Sequence, residues 1–152
     1  EQDLWGKMTN FEIATRVPMI ISAPGQSHAG VKTNALSEFV DIYPTLCDLA
    51  GLPKPEHLQG RSLRGLLADV DAEHKQAVIT RHGGGDAVRT QRYRYMEIRA
   101  RGGRGKLQGV GLFDLEKDPQ ENQNVAEHAE YAEIRQRLKS LLDAARGAWN
   151  AE

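Results

Sequence analysis

The pattern of apolar and polar positions in this 152-residue chain differs between its two halves. In the first half, "VPMIIS" at 17–22 is a continuous apolar run closed by Ala-Pro-Gly, which is typical of a strand buried on both faces. "VDIYPTLCDLAGLP" follows at 40–53, with Asp41 as a cap, a proline in the first turn and Gly51 at the end. This segment predicts a short helix.

Two shorter segments of the first half also favour helical turns. Thr9 and Glu12 have the spacing of a capping box, which predicts a turn over residues 10–15. "GRSLRGLLAD" at 60–69 predicts one more turn, within a stretch rich in charge and turn residues that marks a boundary between two subregions.

Beyond residue 76 the pattern becomes that of a sheet. Short segments rich in β-branched and aromatic residues recur between glycine-rich or polar breaks: "AVITR", "AVRT", "YRYMEIRA" and "GLFDL". Tyr93 and Tyr95 alternate with Arg94 and Met96, which is the period of a strand. We therefore predict a four-stranded antiparallel meander, with a loop over "RGGRGKLQG" and a turn at "EKDPQEN", because Asp118 precedes a proline.

The last segment, residues 127–149, has helical periodicity. Its apolar residues recur at intervals of three and four: Tyr131, Ile134, Leu138, Leu141, Leu142 and Ala145. Such a stripe predicts an amphipathic helix packed on the small sheet.

Composition narrows the classes of partner. The chain is 39% hydrophobic and 27% charged, which is typical of a globular protein with a core. Its net charge of −1 gives no long-range field for nucleic acid, and no apolar run approaches the roughly 20 residues needed to cross a bilayer. The single cysteine, Cys47, cannot form an internal disulfide, and we expect a small core residue there. The expected partner is a small molecule or another protein.

Few residues form a recognisable chemical motif by themselves. The five histidines show neither an i,i+4 pair nor an HxH pair, so most should be solvated. "HGGGD" at 82–86 could offer backbone amides to an anion, but a glycine run between strands is typical of a turn. Arg and Tyr interleave over residues 89–104, yet alternate strand positions are expected to face solvent, which accounts for the charges without nucleic acid.

Five segments in order carry a family resemblance: "LWGKMTNFEIATRVPMIISAPG", "FVDIYPTLCDLAGLP", "GRSL", "AVRTQRYRYMEI" and "LFDLEKDPQENQNVA". Together they resemble the C-terminal part of type I sulfatases, most closely the iduronate-2-sulfatase-like branch of the alkaline phosphatase-like superfamily. The resemblance implies an α/β class, as an α+β fragment. Residues 1–75 would end the large α/β domain, and residues 76–152 would form a smaller subdomain of antiparallel sheet and long helix.

The chemistry implied is hydrolysis of sulfate esters, with a sulfated carbohydrate or small molecule as substrate. In that family a cysteine or serine in C-x-P/A-x-R becomes formylglycine, and calcium (or magnesium) neutralises the sulfate oxygens. This sequence contains no C-x-P/A-x-R, and the family's metal ligands would fall upstream of Glu1. We therefore expect an inactive C-terminal fragment, starting at Glu1 rather than Met, from a periplasmic or secreted enzyme.

Two residues are candidates for the site. Lys7, in the W-x-K stretch, corresponds to the family lysine that stabilises negative charge on the transferring sulfuryl group. His82 lies in the loop best placed to contact substrate. One position departs from the family, because Gln2 stands where a histidine is usual.

The sequence leaves two alternatives to a sulfatase open. A stand-alone binding module derived from the same fold would have the same composition. A phosphatase or phosphonate hydrolase of the superfamily is also possible, although "LFDLEKDP" before an Asn-rich turn is more typical of sulfatases. In either case the run at 17–22 lacks cover within the fragment, so we expect the chain to self-associate or to be held by a partner chain.

Overall fold

The computed structural model describes residues 8–100 and 105–149, which fall into two compact units. The sheet unit combines the N-terminal residues up to Pro18 with everything from Ile79 onward, and the helical unit is Met19–Val78. The elements are α1 (Glu12–Thr15), α2 (Ile42–Ala50), α3 (Arg64–Ala68), β1 (Val78–His82), β2 (Gly85–Arg89), β3 (Tyr93–Arg99), β4 (Leu107–Asp114) and α4 (Ala132–Trp149), with 3-10 turns at Phe39–Asp41 and Ala129–Tyr131.

The predicted meander is confirmed. The four strands lie in the order β1-β2-β3-β4, and Ala87, Met96 and Gly111 face one another across β2, β3 and β4. A two-residue turn joins β1 to β2, with Gly83 at φ 58°, a left-handed conformation that glycine adopts without a steric penalty. β4 begins at Leu107, inside the segment predicted to be a loop up to residue 109.

Both faces of this sheet are covered. On one face Ala87, Met96 and Phe113 form an apolar cluster, against which Phe11 packs with its ring edge-on at 5.6 Å from the ring of Phe113. On the other face α4 crosses β2 and β3, as its apolar stripe predicts, with Leu138 completely buried. Hydrophobic burial on both sides holds the sheet in place.

The helical unit is organised around α2. The helix ends where the sequence predicts, at Gly51, whose φ of 68° places it in the left-handed region and whose N–H donates to the Cys47 carbonyl. Cys47 is buried, also as predicted. Asp41 stands at the N-terminal cap position of α2, as predicted, but its side chain makes no cap bond to this helix. Its carboxylate accepts the Glu38 N–H instead, in a capping box one turn earlier. Local sequence signals are therefore sufficient for this helix.

Two predictions for the N-terminal half are wrong. Residues 17–22 have no regular secondary structure, and Ile20 is 91% exposed, since no strand among the described residues pairs with them. The capping box at Thr9 and Glu12 does not form either: α1 starts at Glu12, and its cap residue Phe11 makes no side-chain cap bond. The Glu12 carboxylate instead pairs with arginines of the sheet.

Candidate functional site

Asn10 attaches the N-terminal segment of the sheet unit to the turn between β1 and β2. Its side chain is buried and donates a hydrogen bond of 3.0 Å to the Gly85 carbonyl. The approach is so close that a Cβ on Gly85 would lie 2.8 Å from the Asn10 amide nitrogen. Glycine at position 85 therefore allows the two segments to meet.

The contact between Asn10 and Gly85 lies near both candidate residues, Lys7 and His82, in the sequence. His82 is half-buried at the end of β1. The turn that the sequence predicts in "HGGGD" is formed by Gly83 and Gly84, and Asn10 bonds to Gly85 directly after it. Lys7 lies outside the described residues, three positions before Asn10 in the sequence. The structure thus brings the segment that follows Lys7 to the turn that follows His82.

A buried ionic cluster, here called the Arg94 cluster (Glu12, Arg89, Arg94 and Glu121), fixes the same segment. Arg94 is 1% exposed and lies between the two carboxylates: it pairs directly with Glu12, and its Nε lies 2.6 Å from Glu121 Oε1. Arg89 adds a second ion pair to Glu12, at 3.0 Å. The two positive and two negative side chains together neutralise their charges inside the fold.

The two carboxyl groups of the Arg94 cluster differ in their electrostatics. Burial opposes ionisation of Glu12, but hydrogen bonds from Arg89 and the charge of Arg94 outweigh it and lower its pKa. Burial dominates at Glu121 and raises its pKa against the opposing charge of Arg94. Glu121 also stands at φ 57°, in the left-handed region, and accepts the Glu12 backbone N–H at 2.6 Å. A non-glycine residue in this conformation is uncommon and is held here by its contacts.

A second ionic cluster, the Glu97 cluster (Arg81, Asp86, Glu97, Arg99 and Arg146), lies on the opposite face beneath α4, and its two carboxylates are buried. Arg146 of α4 donates to Glu97 at 2.6 Å and to Asp86 at 2.8 Å, while Arg81 pairs with Asp86 at 2.6 Å. Arg99 pairs with Glu97 at 2.7 Å. Asp86, although adjacent to the glycine turn, is therefore committed to these arginines.

These clusters correct the expectation that charges on the strands face solvent. Arg94 and Glu97 are each 1% exposed, because both sheet faces are covered and each charge has an oppositely charged partner. Sequence reasoning missed the Arg94 cluster. The available signal was that Glu12 and Glu121 each lie in one of the segments that carry the family resemblance.

One histidine also departs from its expected exposure. The side chain of His74 in the helical unit is 3% exposed, with Nε2 at 3.6 Å from Asp41 Oδ2, and its burial lowers its pKa. Asp41 accepts from the Glu38 and Arg61 backbone amides and pairs with Lys75 at 2.6 Å. These contacts connect distant parts of the helical unit, which is a structural role.

The described residues do not fit the divalent metal that the resemblance implies. Within 8–100 and 105–149, no group of three or more His, Cys, Asp or Glu side chains is arranged to hold an ion. The buried carboxylates Asp86, Glu97 and Asp114 are paired with arginines instead. In the same ranges, no helix has both the length and the apolar character for a membrane span.

Solved structures with a similar fold include sulfatases and a phosphonate hydrolase. The chain is similar in fold to a protein solved in complex with its substrate D-glucosamine-2-N,6-O-disulfate, with a TM-score of 0.63 at 23% identity, over 74% of this chain and 24% of that one. It also matches a phosphonate monoester hydrolase of Agrobacterium radiobacter, with a TM-score of 0.58 at 29% identity, over 71% of this chain and 24% of that one. The class is thus the C-terminal α+β region of the sulfatase fold.

The particular family follows from the sequence. The family model "N-sulphoglucosamine sulphohydrolase, C-terminal" matches residues 1–148, and the chain belongs to that family. Arylsulfatase K of Rattus norvegicus is 32% identical over 90% of this chain and 26% of its own length. Delta 4,5-hexuronate-2-O-sulfatase of Bacteroides thetaiotaomicron is 32% identical over 88% of this chain and 29% of its own. The chain spans about a quarter of the length of these relatives, and the resemblance to sulfatases is confirmed.

Proposed function

We propose that this chain is the C-terminal part of a sulfatase that hydrolyses sulfate esters of carbohydrates. Family membership over residues 1–148 supports the reaction class, and the similarity to a hexuronate-2-O-sulfatase supports a carbohydrate substrate. The observation that carries the proposal is the family match over residues 1–148. The hydrogen bond from Asn10 to Gly85 supports the pairing of Lys7 with His82, because it joins the segment after Lys7 to the strand that follows the turn after His82. Two residues with proposed roles at one substrate would need such a connection.

In this proposal Lys7 supplies positive charge to the reaction. A transferring sulfuryl group carries negative charge on its non-bridging oxygens and on the leaving oxygen, and a fixed ammonium beside it stabilises the transition state. His82 contacts the carbohydrate from the adjacent turn. The formylglycine nucleophile and the divalent metal, calcium or magnesium, would come from residues of the longer enzyme outside this chain.

Residues 1–75 are proposed to come from the end of the large domain of that enzyme and residues 76–152 from the smaller subdomain, with the described residues up to Pro18 packed on the sheet of that subdomain. The helical unit exposes an apolar surface on and beside α2, with Phe39 69%, Leu46 59% and Leu52 60% exposed. Burial of such side chains contributes about 1.5–3 kcal/mol each. The remainder of the large domain would cover them, and in the isolated chain they favour self-association together with residues 17–22.

A second candidate is a phosphonate or phosphate ester hydrolase. The structural similarity to the Agrobacterium radiobacter phosphonate monoester hydrolase favours it, since the same fold region serves that enzyme. Lys7 and His82 would have equivalent roles, because a transferring phosphoryl group also carries negative charge on its oxygens.

Turnover by the full-length protein tests the proposal. We expect release of sulfate from 4-nitrophenyl sulfate and from sulfated uronic acid or glucosamine, at rates well above those for the matching phosphate and phosphonate esters. Preference for phosphonate esters would favour the second candidate. Binding of sulfated carbohydrate without turnover would identify a binding module and contradict the proposed reaction.

A further inference from the structure

We propose that Arg94 is a positioning residue for the segment that carries Lys7. The inference rests on the proposed function, because holding residues 10–15 in place affects catalysis only if Lys7, which precedes them, acts on the sulfate ester. Arg94 lies on β3, 84 positions from Asn10 in the sequence, and its side chain is 2% exposed. It touches no reacting group in this proposal and acts only through the backbone that it fixes.

The guanidinium contacts the segment at three successive points. Nη1 donates to the Asn10 carbonyl at 2.7 Å, and Nη2 donates to the Glu12 carboxylate and to Thr15 Oγ1, the latter at 3.0 Å. A planar group with donors in a fixed fork can orient a segment in this way, whereas the point charge of lysine cannot. The first and last residues of α1, and Asn10 two positions before it, are therefore held by one side chain.

Glu121 completes the arrangement from the other side. Its Oε1 lies 2.6 Å from Arg94 Nε, which orients the guanidinium, and its Oε2 accepts the Glu12 N–H at 2.6 Å, which orients the start of α1. The same carboxylate thus holds both the positioning arginine and the segment that it positions.

Lys7 is close to Asn10 in the sequence, so a shift of Asn10 would also shift Lys7. Lys7 lies three positions before Asn10 in the sequence, and three extended residues span at most about 11 Å. Asn10 is fixed twice, through its carbonyl by Arg94 and through its side chain by Gly85. Releasing the first of these bonds will allow Asn10 to move, and with it the lysine that precedes it.

The other face of the sheet provides a matched control. Arg146 is also an arginine that pairs with two carboxylates, Glu97 and Asp86, at 2.6 and 2.8 Å. Its partners lie on β2, β3 and α4, on the sheet face opposite Arg94. Arg94→Met and Arg146→Met each remove one arginine that pairs with two carboxylates of the same unit, with side chains 2% and 15% exposed, but only the first removes bonds to residues 10–15.

The experiment uses the full-length enzyme with three readouts: kcat and KM on 4-nitrophenyl sulfate, melting temperature, and hydrogen exchange of the amides of residues 8–15. We expect Arg94→Met to lower kcat on the order of 10- to 100-fold, as small displacements of catalytic groups do. Exchange of residues 8–15 should rise at least about tenfold with the bonds to Arg94 lost. Each variant is measured at the same interval below its own melting temperature. Under this condition Arg146→Met should change kcat and the exchange of residues 8–15 by less than about threefold.

Equal losses of kcat in the two variants, or unchanged exchange of residues 8–15 in Arg94→Met, would overturn the inference. If Arg94→Met does not fold, Glu121→Gln is used in its place, since it keeps the size of the side chain and removes the charge that orients Arg94. A loss of kcat equal to that of Arg146→Met, or unchanged exchange of residues 8–15, would then overturn the inference. An inactive wild-type enzyme would contradict the proposed function, and hydrogen exchange would still decide whether Arg94 fixes the segment.

Discussion

Glu97→Gln removes one negative charge from the interface between the sheet and α4. Glu97 is 1% exposed and accepts from Arg146 at 2.6 Å, from Arg99 at 2.7 Å and from the Tyr95 hydroxyl at 2.9 Å. A glutamine has almost the same shape, but it removes the negative charge with which the partly exposed Arg146 and Arg99 pair. The unit should therefore be destabilised at neutral pH, and the pH dependence of its stability should change as well.

The size of the pH effect follows from the pKa of Glu97. Burial opposes its ionisation, but the hydrogen bonds from Arg146, Arg99 and Tyr95 outweigh burial and lower the pKa from 4.5 to about 2. The unfolded chain then binds more protons than the folded chain between these values, so stability rises with pH in this range. The contribution is complete above about pH 4.5, is lost as the pH falls toward 2, and amounts to about 3 kcal/mol.

Urea unfolding of the 152-residue chain at pH 7, 4 and 3, monitored by hydrogen exchange of β3 and α4 amides, measures this contribution. Wild type should lose stability steeply on acidification, whereas Glu97→Gln should start lower and lose about 2 kcal/mol less between pH 7 and pH 3. Arg81→Gln is a suitable control, because Arg81 is 56% exposed and pairs with Asp86 rather than Glu97. Parallel pH profiles for wild type and Glu97→Gln would refute the assignment.

Two further predictions concern the isolated chain. The purified 152-residue chain with calcium or magnesium should show no turnover of 4-nitrophenyl sulfate above background, because its described residues contain no metal-binding group and its sequence contains no C-x-P/A-x-R; metal-dependent turnover would contradict this. The same chain should self-associate through its exposed apolar residues, including Ile20 at 91% exposure. Light scattering measures this, and a monomer at all concentrations with residues 17–22 protected from exchange would contradict it.

The elements that the sequence predicts correctly are those determined by neighbouring residues. Gly51 ends α2 because only a few residues tolerate a left-handed conformation, and the Tyr93–Met96 alternation defines a strand whatever packs on it. Thr9 and Glu12 show the limit of such signals. The spacing of a capping box is present, but Arg94 and Arg89 are stronger partners for the Glu12 carboxylate than a backbone amide.

The site required information that one sequence does not carry. Lys7 and His82 were proposed from family resemblance, whereas the bond between Asn10 and Gly85 joins positions 75 residues apart. The burial of Arg94 could not be predicted either, because a strand with alternating charges is normally solvated on one face. Both faces of this sheet are covered, which buries Arg94. The apolar run at 17–22 does not form a strand, because none of the described residues pairs with it or covers it.

Replacement of Lys7 by alanine in the full-length enzyme tests the central claim most directly. Loss of a charge-stabilising group typically costs about 10²- to 10³-fold in the chemical step. Single-turnover kinetics on 4-nitrophenyl sulfate should show a decrease of that order, with the melting temperature of Lys7→Ala close to that of wild type. An unchanged rate of sulfate release in a normally folded Lys7→Ala enzyme would contradict the claim that this chain contributes a charged residue to a sulfate-hydrolysing site.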